Sequence, residues 1–363
     1  MAKHDNLKSL FTGIADAIRN KTGNTRPIIA DNFPSEIDAI STGFPNGTAW
    51  TKSITTNRDF DCVYNANGIW VAGSYSSGNE TCIYYSTDGK TWTEGNIGSY
   101  NNTVRCIYNA NGIWVAGTNS GIYYSTDGMT WVHSNTPYKR FKCVYNANGI
   151  WVATGVDDNG IYYSTDGMSW SNSNITNRDF DCVYNANGIW VATGADDNGI
   201  YYSTDGMTWS NSNITSHYFQ QVYNANGIWV AGGIDSLYYS TDGMTWNQSN
   251  ITNHKFECVY NANGIWVAGS GGYDYNGLYY STDGMTWNQS NITDGVFRCV
   301  YNANGIWVAT ADNSFRLYYS TDGMTWTRCK GISETISCVY NANGIWVAGG
   351  TDSLYYSISW QPT

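Results

Sequence analysis

The phrase Y-N-A-N-G-I-W recurs eight times, beginning at Tyr64, Tyr108, Tyr145, Tyr184, Tyr223, Tyr260, Tyr301 and Tyr340, at spacings of 37 to 44 residues. A second phrase, Y-Y-S-T-D-G-x-[TS]-W, ends at Trp92, Trp131, Trp170, Trp209, Trp246, Trp287 and Trp326. Near-identical segments in near-identical surroundings must fold alike, so the chain is one small unit repeated. A period of about 40 residues made of strand-like segments points to propeller blades and away from stacked helix pairs.

Each unit reads as four strands, in the first copy 60–64, 69–73, 83–86 and 91–93. The segment Asn65-Ala66-Asn67-Gly68 suits a type I turn followed by a left-handed glycine, which predicts Tyr64 opposite Trp70 and Cys62 opposite Ala72. Asp88-Gly89 is a two-residue hairpin signal and predicts Tyr85 opposite Trp92. Apolar residues fall on both faces of the strands, as expected of sheets sandwiched between neighbours.

The ends predict a closed ring. Thr48-Ala49-Trp50-Thr51-Lys52 matches a fourth strand with no first three before it, whereas Leu354-Tyr355-Tyr356-Ser357 is a third strand followed by Ile358-Ser359-Trp360. Joining the two orphans leaves few exposed edges. The expected fold is therefore all-β: an eight-bladed β-propeller of four-stranded antiparallel blades over residues 44–363, its N-terminal strand closing the last blade.

Residues 1–43 are predicted to form a short α-helical segment. An apolar stripe of Leu7, Leu10, Phe11, Ile14 and Ile18 marks a helix over 5–21, and a second short helix is expected from residue 34 or 35 to about Ile40. The segment is too small for a core of its own, and Ser41-Thr42-Gly43 separates it from the ring. Its expected role is attachment or homo-oligomerisation.

A net charge of −11 and pI near 4.6 argue against nucleic acid as partner. No apolar run is long enough to span a membrane, and no early stretch looks like a signal peptide. Seven of the nine cysteines (Cys62, Cys106, Cys143, Cys182, Cys258, Cys299 and Cys338) share one repeat position, with Gln221 there in the fifth copy. One thiol per unit and an odd total read as small buried residues, not a disulfide framework. His4, His133, His217 and His254 lack metal-ligand spacing. The D-D-N-G segments at 157–160 and 196–199 read as polar turns in preference to calcium loops. No metal and no cofactor are expected.

Ser86-Thr87-Asp88-Gly89-Lys90-Thr91-Trp92 resembles the Asp-box (BNR) repeat of sialidase-like propellers, with one residue fewer between aspartate and glycine. That resemblance implies the fold and leaves activity open. A sialidase needs an arginine cluster, a tyrosine–glutamate pair and an acidic proton donor. Glutamate is rare in these repeats and no motif breaks the periodicity, so no enzyme is expected. The N-terminal run Leu7 to Gly23, with Phe33-Pro34-Ser35-Glu36-Ile37, resembles the N-terminal segment of tail and tail-fibre proteins from phages and prophages of Gram-positive hosts. It implies a virion tail component assembled in the host cytoplasm, held by other tail or baseplate proteins through its N-terminal helix.

Comparing the repeats with one another locates the expected site. Loops joining strands one–two and three–four are almost invariant and share one face of the ring. The opposite face varies, both in the two–three loops at 73–81, 157–160, 271–277 and 312–316 and before the first strand. Tyr75, Tyr273, Tyr275, Phe315 and Arg316 stand out in those loops. Immediately before the cysteine position come Asp61, Arg105, Lys142, Asp181, Gln220, Glu257, Arg298 and Ser337. Two residues earlier stand Asp59, Arg140, Asp179, Tyr218 and Lys255, with Thr103, Val296 and Thr335 in the remaining copies. Strand alternation predicts both sets on one side, opposite Phe60, Cys62 and Tyr64 and toward the central channel. The expected ligand is a bacterial surface glycan, which makes the protein a phage receptor-binding protein. The competing expectations are a structural or protein-binding tail module and, third, an Asp-box glycosidase.

Overall fold

A computed structural model describes residues 47–358 except 56–57, 76–81, 99–102, 196–197, 273–275, 313–315 and 333. The two predicted N-terminal helices, and Tyr273, Tyr275 and Phe315, lie outside the described residues. The chain forms eight four-stranded antiparallel sheets in sequence order. Blade 1 consists of Phe60–Ala66, Ile69–Ser74, Ile83–Ser86 and Thr93–Glu94. Blade 8 takes Ile336–Ala342, Ile345–Gly350 and Ser353–Ile358 from the end of the chain, and Thr51–Thr55 as its fourth strand. First strands pack against first strands all the way round, including Phe60–Ala66 against Ile336–Ala342, so the ring is closed with the first strands innermost.

The register differs from expectation in both hairpins. Tyr64 pairs with Val71, Asn65 with Trp70 and Cys62 with Gly73. The turn is the two-residue Asn67-Gly68, with φ of 52° and 80°. Two positive φ values define the type I′ turn whose twist matches that of the strands, and asparagine tolerates the left-handed region well enough to supply the first. After the third strand the reverse happens. Tyr85 pairs with Thr93, not Trp92, because the T-D-G segment is a longer loop. The Ser86 hydroxyl accepts the Gly89 amide at 2.8 Å, and Asp88 Oδ1 accepts the amides of Lys90 and Thr91 at 2.8 and 2.7 Å. Burial pushes the Asp88 carboxyl up, but the Thr91 and Lys90 amides outweigh it and hold the carboxyl below its ordinary value.

The core lies between blades. Phe60, Val63, Trp70, Ala72, Tyr84 and Trp92 of blade 1 pack on Cys338, Val347 and Leu354 of blade 8. Cys62, Tyr64, Ala66 and Ile69 turn the other way, onto Val104 and Trp114 of blade 2. Each fully buried aromatic or aliphatic side chain contributes about 1.5–3 kcal/mol relative to exposure, and every blade supplies such residues to both neighbours. All nine cysteines are free thiols. Polar braces join the rims as well. Asn213 donates Nδ2–H to the Trp246 carbonyl at 2.9 Å and accepts the Trp246 amide at 2.7 Å. Asn135, Asn174, Asn250 and Asn291 do the same for Trp170, Trp209, Trp287 and Trp326. Asn174, Asn213, Asn250 and Asn291, each followed by Ile-Thr, are thus structural amides.

Candidate functional site: the mouth of the central channel

Antiparallel strand order puts the Asn-Gly and T-D-G turns at one end of every sheet, and the two–three loops and blade crossings at the other. The described chain enters and leaves at the invariant end. The Gly47 amide donates to Ser357 Oγ at 2.9 Å, as the Gly89 amide does to Ser86 Oγ at 2.8 Å. Blade 8 therefore rebuilds the T-D-G turn from two segments 310 residues apart. Among the described residues, the first and last therefore lie away from the variable face.

Variable loops begin from a fixed base. In seven blades the first residue after the second strand, and in blade 6 that strand's last residue Gly271, donates its amide to the carbonyl two residues ahead of the bulge described next. Tyr75 donates to Asp59, Val156 to Arg140, Asp312 to Val296 and Thr351 to Thr335, at 2.7–3.1 Å.

Every first strand carries a register shift at one place. Phe60 pairs with Ser74 while Cys62 pairs with Gly73, which leaves Asp61 as an extra residue, and the other seven blades repeat this. Such a bulge breaks the alternation and re-aims one side chain. This corrects the predicted facing: Phe60 points toward blade 8, whereas Cys62 and Tyr64 point toward blade 2. The eight bulged residues are Asp61, Arg105, Lys142, Asp181, Gln220, Glu257, Arg298 and Ser337.

Asp59, Asp61, Arg105, Lys142, Asp181, Gln220 and Arg298 line one cavity of about 520 Å³, with Asp312, Thr335, Ser337 and Thr351. Residues of seven blades can meet only around the axis, so the cavity is the mouth of the central channel. Its charges are paired in advance. Arg105 Nη1 lies 3.0 Å from Asp61 Oδ2 of the preceding blade, and its Nε donates to Asn119 at 3.1 Å. Lys142 pairs with Asp181 of the next blade, and Arg298 with Asp312 at 2.6 Å. Burial pushes the Asp61 carboxyl above its ordinary value against the opposing pull of Arg105. Asp181 is 3% exposed at its side chain, and its Oδ2 has no partner among the described residues.

The remaining predicted residues sit around this mouth without lining it. Glu257 is held by Lys255 at 2.6 Å. The Tyr218 hydroxyl accepts a hydrogen bond at 2.7 Å from Gln220 of the lining. Arg140 Nε donates to Asp157 at 2.7 Å, and Asp179 accepts the Asp158 amide at 2.6 Å, so both serve to shape the 157–160 loop. Arg316 lies 3.4 Å from Asp294, and Tyr75 is 47% exposed. Two arginines, Arg105 and Arg298, reach the mouth, each already paired to an aspartate.

Sequence reasoning missed Asp312 and Thr351 as lining residues; both are the first residue after a second strand, a position that the repeat alignment isolates. It also missed Tyr138. In the crossing from blade 2 to blade 3, Thr136-Pro137-Tyr138 replaces the usual I-T pattern, and Tyr138 is 76% exposed and stacked on His133 at 4.6 Å.

Three residues beyond each bulge, roughly 10 Å along the strand at about 3.3 Å per residue, stands a tyrosine of the repeat phrase. Tyr64, Tyr108, Tyr145, Tyr184, Tyr223, Tyr260, Tyr301 and Tyr340 form an unbroken collar, consecutive ring centroids lying 4.8–5.2 Å apart. An octagon of that side, less an aromatic contact radius of about 1.8 Å, leaves a bore no wider than about 9 Å. Burial pushes the hydroxyls of Tyr64, Tyr108 and Tyr145 above the ordinary phenol range.

Neither a family model nor a curated protein sequence matches this chain. Solved structures do. The computationally designed Ika8 protein is similar over 87% of this chain and 100% of its own, with a TM-score of 0.69 and 12% identity. Saccharomyces cerevisiae Sqt1 is similar over 88% of this chain and 100% of its own, at TM-score 0.67 and 11% identity. A catalytically inactive virginiamycin B lyase from Staphylococcus aureus, solved with quinupristin, covers 85% of this chain and 98% of its own, at TM-score 0.60 and 9% identity. These likenesses carry the propeller fold. A designed protein and a lyase variant share it, so the fold leaves open whether the chain is an enzyme.

Proposed function

We propose that this protein is the receptor-binding component of a phage or prophage tail, and that its variable face recognises a bacterial surface glycan. One observation carries the reading. The polar, charged mouth is built around seven of the eight bulged residues, which differ from blade to blade, and it opens on the face opposite the one where the described chain enters and leaves. A segment N-terminal to Gly47 would hold the ring by its invariant face and present the mouth outward. The N-terminal helix would dock other tail or baseplate proteins, or further copies of the chain, and the protein would act in the virion tail. The reading is of a binder, not an enzyme. Paired carboxylates and guanidinium groups offer acceptors and fixed donors for sugar hydroxyls, and exposed Tyr75 and Tyr138 offer stacking faces. Each contact is weak, so many copies per particle would supply avidity.

The test is adsorption of the labelled full chain to a panel of Gram-positive bacteria, before and after removal of cell-wall glycan. Saturable binding that disappears with the glycan, and with Arg140→Ala combined with Lys142→Ala, is expected. Binding unaffected by glycan removal would reject a glycan receptor and favour a protein partner.

A further inference from the structure

We propose that the ligand enters along the propeller axis and is a neutral, hydroxyl-rich saccharide end, seated between the ring of bulged residues and the tyrosine collar. This rests on reading the variable face as the receptor-binding one and names what that face takes. The mouth is a cavity of about 520 Å³, within the roughly 300–1,000 Å³ typical of ligand pockets. Residues from seven blades surround it, so one group on the axis meets different chemistry on every side. An end, and not the middle of a branched chain, suits an axial approach to a collar of bore no wider than about 9 Å.

Charge decides the chemical class. The lining holds Asp59, Asp61, Asp181 and Asp312 against Arg105, Lys142 and Arg298. Every one of those cations already has a carboxylate partner. An acidic ligand would bring its charge against Asp59, Asp61, Asp181 and Asp312, while approaching a protein of net charge −11. An amine-bearing ligand would crowd a further cation against Arg105, Lys142 and Arg298, which already hold Asp61, Asp181 and Asp312. Neutral hydroxyls need break nothing. A guanidinium has five N–H donors and a carboxylate about four acceptor sites, so the pairs retain capacity after bonding each other. Hydrogen bonds to such ionised groups are stronger than those between neutral groups.

The test applies the labelled full chain to an array of bacterial glycans with neutral, acidic and amine-bearing ends, at about 50 and 500 mM salt. Neutral ends should be retained, with a signal that changes less than about twofold because no net charge is screened. Ser337→Trp places a bulky plug at a position where the eight blades already carry six residue types, and should cut retention at least tenfold. Gln220→Trp repeats the plug from another blade, and circular dichroism verifies the fold of each. Asn211→Ala, exposed on the outer strand of blade 4, should leave retention unchanged. Preference for acidic or amine-bearing ends, a steep loss with salt, or indifference to both plugs overturns the inference. Retention of no glycan at all also overturns it. If cells still adsorb the protein and Tyr138→Ala weakens that, the receptor reading stands and recognition moves to the outer loops.

Discussion

Replacing Asn213 by alanine removes a brace between blades 4 and 5 at a cost that can be worked from its geometry. The side-chain amide makes two hydrogen bonds to one peptide, donating to the Trp246 carbonyl at 2.9 Å and accepting its amide at 2.7 Å. Two bonds at about 1 kcal/mol each would give about 2 kcal/mol, and unmet peptide groups would add more. Asn213 itself is exposed, however, so water restores part of the loss. The expected cost is about 1–2 kcal/mol, or a fall of roughly 0.5 M in the urea midpoint for an m-value of about 3 kcal/mol/M. Tryptophan fluorescence reports the transition. Asn174, Asn250 and Asn291 brace other blades and share no partner with Asn213, so the quadruple alanine variant should lose about four times as much. Asn211→Ala, exposed and unbraced two residues away, is the control and should stay within about 0.5 kcal/mol. An Asn213→Ala midpoint equal to that of the control would refute the brace.

Alkaline pH should loosen the ring. Burial raises Cys62, Cys258 and Cys338 well above the ordinary thiol value, takes Cys299 to about 11, and raises the phenols of Tyr64, Tyr108 and Tyr145. Raised folded values mean that this stability is intact below the unfolded pKa values of about 8.5 and 10 and is lost as pH rises through the folded ones. Urea midpoints should therefore fall steadily above about pH 9; a flat profile to pH 11 would contradict it. At pH 8 a thiol reagent should label fewer than about two cysteines in the native protein and all nine in urea, because the seven repeat thiols are buried or half-buried between blades. Deleting residues through Thr55 removes buried Trp50 and the strand paired with Ser353–Ile358. The variant should associate through the freed edge, which light scattering would detect; an unaltered monomer with native stability would argue against closure by this strand.

Much of the fold was legible because the repeat supplies eight copies of the same statement. Period, strand count and the shared last blade all follow from where the phrases start and stop. Register was less legible, since one residue of error in a turn moves every pair. Asn67 had to be recognised as left-handed in its own right, and Ser86 and Asp88 as holding a loop longer than their spacing suggests. The bulge left no mark, as neither glycine nor proline announces it and six residue types fill it. Variation between copies still indicated Asp61 and its equivalents, although alternation was the wrong reason for their direction. Partners across blades, such as Asp181 for Lys142, are set by the ring's closure and are invisible along the chain. So was the tyrosine collar, whose members looked like ordinary cross-strand aromatics.

The closing strand also determines how the molecule would bear a load. Thr51–Thr55 runs from the invariant face toward the variable one, with its hydrogen bonds to Ser353–Ile358 lying across that direction. A pull on the chain at Gly47, opposed by something gripped at the mouth, acts along the strand. It strains the bonds of the seam together instead of opening them one after another. A tether fixed at the other end of that strand would peel the seam like a zip, so the same contacts resist more in the orientation the chain adopts.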